Sequence, residues 1–234
     1  MKKGDLKKNS ILETAEKLFF EKGYEQTSIQ DILDVLSLSK GGFYHHFPSK
    51  EAILEEICVL RVESRFARLG MELYGNRISP IEKLNLLLRM VNLFDREETK
   101  FVALMLKICY QDRDVRIRDH LRNTVLNRLK SHMDEVIEEG MKSGAFFTRH
   151  PGMIGSMLLA MAADADDEAC RLLLADPENP ECVIAIAELL NAYRDAMETL
   201  LGVPFGSVQL FDPAKLISDY QAAASELLKL EAVK

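Results

Sequence analysis

No apolar run in this 234-residue chain is long enough to cross a bilayer, and the longest, such as MIGSMLLAMAA, give way at once to acidic residues. The basic N-terminus MKKGDLKKNS is followed by no long apolar segment, so a secretory signal is not expected and a cytoplasmic protein is. Cysteine is scarce. Cys58, Cys109, Cys170 and Cys182 are separated by 51, 61 and 12 residues, with no CxxC pair and no histidine at ligand spacing. Four reduced, mostly buried thiols are expected, rather than a disulfide framework or a zinc site. His120, His132 and His150 are scattered. A Gly-rich phosphate loop, a nucleophile elbow and a metal-ligand cluster are all missing, so no catalytic residue, cofactor or metal is assigned and an enzyme is not expected.

Hydrophobic residues make up 47% of the chain, enough for a sizeable core. The net charge of −7 is unevenly spread: residues 1–50 hold 8 Lys/Arg against 7 Asp/Glu, and the remainder holds 22 against 30. This argues against non-specific coating of nucleic acid and permits a local DNA contact near the N-terminus.

Nearly every segment has helical periodicity. Ile11, Leu12, Ala15, Leu18 and Phe19 mark a first helix that Gly23 stops. Thr27 is expected to cap a second, with Gln30 reaching back and Ile29, Ile32, Leu33 and Leu36 as its stripe. Ser37 and Leu38 form a turn, Ser39 caps a short third helix ending before Pro48, and Ser49 caps a fourth running to about Tyr74. Ser79, Pro80 and Glu82 start a helix to about Arg96, and further helices are expected over 98–110, 113–142, 152–175 and 181–201. Asp212-Pro213 is expected to cap a last one to about Leu230, and SVQLF at 207–211 to be an irregular loop.

In the stretch SLSKGGFYHHFPSKEAIL, residues 37–54, two adjacent glycines sit inside a short helix, where each costs about 1 kcal/mol relative to alanine. Phe43 and Phe47 are four apart and share an inward face, with Leu38 just before them. The outward face carries Lys40, Gly41, Gly42, Tyr44 and His45. Bare backbone lets a partner approach closely, and the lysine, hydroxyl and imidazole suit a polyanion in a groove. The unit reads as a helix-turn-helix, whose second helix enters the major groove, with Lys50 in reach of a phosphate.

From ILETAEKLFFEKGYEQTSIQDIL through SLSKGGFYHHFPSKEAIL, about residues 8–55, the chain resembles the TetR (tetracycline-repressor-like) family of transcriptional regulators. The resemblance implies an all-α fold: a three-helix DNA-binding head, residues 1–48, and a larger helical bundle, 49–234, for effector binding and dimerisation. By position, Thr27, Tyr44 and Lys50 would hold phosphates, while Gln30, Lys40, Gly42 and His45 would face the groove. Ser39 and Gly41 complete the DNA-binding set, and His46 would support the fold. Gly42 departs from the small side chain, often threonine or alanine, common there.

In the body, Phe94, Phe101, Met105 and Cys109 are candidates to line a cavity, together with Val125, Leu129, Met157 and Met161. Methionine re-packs easily, so a small, mostly apolar effector is expected. Met153, Met157 and Met161 also read as a core stripe, and Asp164, Asp166, Asp167 and Glu168 as a solvated segment. Helices 152–175 and 181–201 are more apolar than one bundle face needs, which predicts a homodimer through them. The expected function is a repressor released from a palindromic double-stranded DNA operator by that effector. Two alternatives are a DNA-binding regulator controlled by a protein partner and an enzyme with an appended DNA-binding head.

Overall fold

The computed structural model describes residues 3–75, 78–91, 99–111, 115–179, 181–211 and 215–232. Within them the chain forms α-helices and one π-helical turn, without strands. The head is α1 (Lys3–Lys22), α2 (Ile29–Leu36) and α3 (Lys40–Tyr44); α4 (Lys50–Gly75) leads out of it. The body adds α5 (Pro80–Arg89), α6 (Thr99–Leu106), α7 (Val115–Ser143), α8 (Pro151–Ala175), α9 (Glu181–Leu201) and α10 (Leu216–Ala232). Among the described residues no helix is long and apolar enough to cross a membrane.

The helical periodicities turn into buried faces. Ile11, Ala15 and Phe19 of α1 meet Ile32 and Leu33 of α2, Phe43 and Phe47 around α3, and Ile53 and Leu54 of α4. The same cluster takes in Phe101, Met105 and Ile117 from the body, so head and body share one apolar seam. A second cluster joins α5, α7, α8 and the end of α9, and a third joins α6, α8, α9 and α10.

Three features differ from the sequence reading. The cap of α2 is Ser28, one residue later than expected: its hydroxyl accepts the Asp31 N–H at 3.1 Å, and Asp31 Oδ2 accepts the Ser28 N–H at 2.8 Å. Asp31 lies three residues beyond Ser28, the spacing a capping box needs, so it displaces the Thr27–Gln30 pairing. The helix expected to reach Arg96 ends at Arg89 with a turn at Met90–Val91, and residues 92–98 lie outside the described residues, as does the expected Asp212-Pro213 cap. The segment expected to be one helix over 98–110 widens into a π-helical turn, Lys107–Gln111, which inserts an extra residue and re-aims Cys109 and Tyr110. The segment 207–211 is an irregular loop, as expected, held by side chains in place of a strand partner. Asn85 Nδ2 donates to Ser207 O and Asn85 Oδ1 accepts the Gln209 N–H, both at 2.9 Å, while buried Glu198 accepts the Val208 N–H at 2.8 Å.

Asp31 also pairs with Lys22 at 2.6 Å, tying α2 to α1. The Lys22 ammonium, then the Ser28 hydroxyl and N–H, hold its carboxyl well below the usual carboxylate range. A depressed folded pKa contributes stability that is present above the unfolded value, about 4, and is lost as the pH falls below it. Asp31→Asn is therefore expected to lower the melting temperature near neutrality, with the gap to wild type narrowing as the pH drops below about 4. Thermal melts followed by circular dichroism at several pH values check this; a gap that ignores pH would contradict it.

Candidate nucleic-acid interface and effector cavity

The turn between α2 and α3 is three residues long because Ser37 adopts φ 51°, ψ 42°, the left-handed conformation that ends α2. Its N–H reaches Asp34 O and Leu33 O, and the Leu38 N–H reaches Leu33 O at 3.0 Å. Ser39 then caps α3, its hydroxyl accepting the Gly42 N–H at 3.2 Å. Phe43 and Phe47 are buried, which turns the opposite side of the helix to solvent. That side carries Lys40, Gly41, Tyr44 and His45, all exposed; Gly42 is half-buried. Gln30 is exposed on α2, its amide donating to Asp34 Oδ1 at 2.7 Å. A Cβ added at Gly41 would meet nothing within 4 Å, whereas one at Gly42 would sit 3.3 Å from the capping Ser39 Oγ. The structure thus places Lys40, Gly41, Tyr44 and His45 on the exposed side of the α3 segment, with Gln30 exposed on α2 and Gly42 half-buried.

Two expected phosphate contacts are aimed elsewhere. Thr27 is 1% exposed, and its one hydroxyl proton is shared between Gly23 O at 2.8 Å and Leu18 O at 3.2 Å. It locks the α1–α2 turn from inside, a consequence of Ser28 taking the capping position. Lys50 is half-buried: its Nζ donates to Tyr24 O at 2.7 Å and lies 4.2 Å from the Tyr24 ring centre. It pins the start of α4 to the same turn.

Below the head, α4, α6, the π-helical turn, α7 and α8 surround a cavity of about 140 Å³. Phe101, Met105, Cys109 and Val125 line it, as expected. Leu129 does not, being fully buried in the second core cluster; Met161 packs on that cluster, Met157 is exposed, and Phe94 lies outside the described residues. The lining also includes Arg61 and Arg65 of α4, Arg118 and Arg122 of α7, Tyr110, Asp166 and Asp167, which sequence reasoning missed. Each arginine pair has i, i+4 spacing, but nothing in the sequence tells that the two pairs face a common space. The accessible wall of the cavity is mostly apolar, and these charged groups add a polar side that the sequence reading did not place there.

The reading of residues 164–168 as a solvated segment fails at Asp167, which is buried because it is held by partners. It accepts the Tyr110 hydroxyl at 2.5 Å and Arg171 Nη2 at 3.1 Å, and Arg122 lies 3.9 Å away. Burial, with the Cys170 thiol and the Asp167 carboxylate nearby, pushes the Tyr110 hydroxyl up, so it stays a donor. Burial likewise raises the Cys58 thiol, which makes it packing rather than a nucleophile. Among the described residues no group of three or more His, Cys, Asp or Glu is placed to hold a metal ion.

Residues 11–57 match the family model described as bacterial regulatory proteins, tetR family. The chain is 35% identical over 102 residues to the HTH-type transcriptional regulator YuxN of Bacillus subtilis, across 43% of this chain and 34% of YuxN. The match therefore spans about a third of that relative's length. It is 28% identical over 144 residues to the HTH-type transcriptional repressor KstR2 of Mycolicibacterium smegmatis, across 60% of this chain and 67% of KstR2. Among solved structures, a transcriptional regulator from Saccharomonospora viridis in complex with choline superposes with a TM-score of 0.55 and 25% identity, covering 83% of this chain and 96% of that one. The family match thus falls on the head, where α2 and α3 build the helix-turn-helix, and the all-helical body that follows it has the fold of solved TetR-family regulators.

Proposed function

We propose that the chain is a homodimeric transcriptional repressor whose head, residues 1–48, holds a near-palindromic operator and whose body, residues 49–234, releases it when a small organic molecule enters the cavity. The observation that carries this reading is the outward face of α3, where Lys40, Gly41, Tyr44 and His45 are all exposed above a fully buried Phe43. Lys40 and His45 reach base edges, the Tyr44 hydroxyl meets a phosphate, and Gln30 flanks them from α2. Thr27 and Lys50 act one step back, fixing the turn and the start of α4 so that backbone N–H groups there are in place. A DNA target makes the cytoplasm the site of action.

One recognition helix spans only a few base pairs, so a two-fold dimer is needed for useful affinity. Exposed Met153, Met157, Ile184 and Leu200 on α8 and α9 support that pair of helices as the dimer face. The resemblance to a repressor supports repression over activation. The cavity supports a small effector over control by a protein partner.

Selection on a random DNA pool with the purified chain tests the reading. The expected result is a two-fold symmetric site with half-site centres about 34 Å apart or a multiple of that. Lys40→Ala is expected to relax preference at one position per half-site, by about 1–3 kcal/mol of discrimination. An asymmetric site, or unchanged preference in the variant, would refute the respective claim.

A further inference from the structure

We propose that the effector is a small amphipathic carboxylate and that its head group acts by taking Arg61 away from Glu16; this rests on the repressor reading above. Charge at the cavity selects the class. Its lining holds four guanidinium groups against the carboxylates of Asp166 and Asp167. Asp167 already serves Tyr110, Arg122 and Arg171. The positive excess lies on α4 and α7, and Val62, Met90, Met105, Leu121 and Leu126 supply an apolar remainder. An anion with an apolar body satisfies both sides; a cation such as the choline held by the Saccharomonospora viridis regulator does not.

Arg61 connects this charge to the head. Its guanidinium lines the cavity and stacks 4.2 Å from the centre of the Phe101 ring, while Nε, at 3.2 Å, and Nη2 both reach Glu16 Oε1 in α1. Both side chains of the pair are 26% exposed, so the bond is partly shielded yet open to exchange. A ligand carboxylate offers the planar fork the same geometry as Glu16. When it does so, α1 loses one of the two ion pairs that join it to α4 among the described residues, leaving Lys8–Glu56 at 2.5 Å beside the apolar contacts, and the head is freer to tilt. By linkage, whatever weakens the Arg61–Glu16 bond strengthens ligand binding and weakens operator binding.

The test titrates the full chain, free of DNA, with octanoate, octan-1-ol and octyltrimethylammonium by calorimetry. Each titration is repeated with the selected operator, followed by fluorescence anisotropy. In the wild type octanoate is expected to bind at least about tenfold more tightly than octanol, with the ammonium compound weakest. Glu16→Gln is expected to bind octanoate about tenfold more tightly than wild type, and to hold the operator more weakly even without ligand. Arg61→Met is expected to bind octanol as before and to lose the preference for octanoate, with melting temperatures reporting that each variant is folded. Octanol binding as tightly as octanoate, or an unchanged octanoate affinity in Glu16→Gln, overturns the inference. A wild type that holds its operator but takes up no octanoate overturns this inference alone. A chain that binds no DNA overturns the repressor reading and leaves the calorimetric comparison standing.

Discussion

Replacing Met157 by arginine should convert the dimer to a monomer at micromolar concentration and lower operator affinity by at least about 100-fold. Met157 is 44% exposed on α8, one helical turn from exposed Met153, and Leu200 is exposed on α9. The two helices run antiparallel: Asp164 accepts the Tyr193 hydroxyl midway along them, and the Phe147 N–H reaches Leu201 O at 2.7 Å at one end. That end therefore gathers Met153, Met157, Leu200, Phe147 and Phe205, every one a large exposed apolar side chain. Single exposed hydrophobics need no explanation, but a contiguous group marks a surface that another molecule covers. In the proposed dimer a two-fold operation brings the same patch from the second copy onto it. An arginine per protomer inserted there leaves charges without partners in a desolvated seam, which costs about 3 kcal/mol or more. The monomer itself should be unaffected, because the side chain faces solvent, so the melting temperature of the isolated chain at low concentration stays unchanged. Light scattering and operator anisotropy read the two effects. A variant that remains dimeric and holds its operator would move the interface off α8 and α9.

The fold was legible in the sequence wherever a helix carried its own boundary signal. Gly23, Ser79-Pro80-Glu82 and Gly144 all end or begin helices where the spacing puts them. Legibility failed where two residues compete for one role. Thr27 and Ser28 can both cap; only the choice of box partner, Asp31 over Gln30, decides which side chain turns inward, and that choice removed Thr27 from the surface. It failed again at Lys107–Gln111, since a π-helical turn has the same residue types as an α-helix and arises from packing around it.

The DNA-facing side was legible for the same reason that α2 was: Phe43 and Phe47 fix which way α3 faces, and Lys40, Tyr44 and His45 follow by subtraction. The cavity was legible only on its apolar side. Soft side chains such as Met105 and Cys109 advertise adaptable space, whereas arginines on long amphipathic helices read as solvated faces until a third element packs across them. Arg61 and Arg122 point into shared space because α4, α7 and α8 converge, a tertiary fact with no local signature. Asp167 is the same case in reverse: the sequence shows an acidic run with Arg171 four residues on, and only the arrival of Tyr110 and Arg122 from other elements makes one member of it a buried acceptor.

Gly41→Leu should leave the head folded and cut operator affinity by about 100-fold, while Gly41→Ala should raise helix stability by about 0.5–1 kcal/mol and still weaken binding. The argument turns on what surrounds the residue. Gly41 lies in a helix at ordinary dihedral angles, and a Cβ there meets nothing of the protein within 4 Å. Nothing in the free chain requires glycine, so its presence is unexplained by folding, and in the helix interior it is destabilising. The face on which it lies also carries Lys40, Tyr44 and His45, and a partner seated against those three must pass over Gly41. If that partner is the floor of the major groove, bare backbone lets α3 sit closer than any side chain would, and an isobutyl group lifts Lys40 and Tyr44 away from their contacts together. Gly42 is the poorer probe, because its added Cβ would press on the capping Ser39 hydroxyl at 3.3 Å and mix a folding effect with a binding one. Thermal melts and operator titrations on the Gly41 variants separate the two. Operator affinity in Gly41→Leu equal to wild type would mean that α3 approaches DNA by some other face, and the assignments of Lys40, Tyr44 and His45 would fall with it.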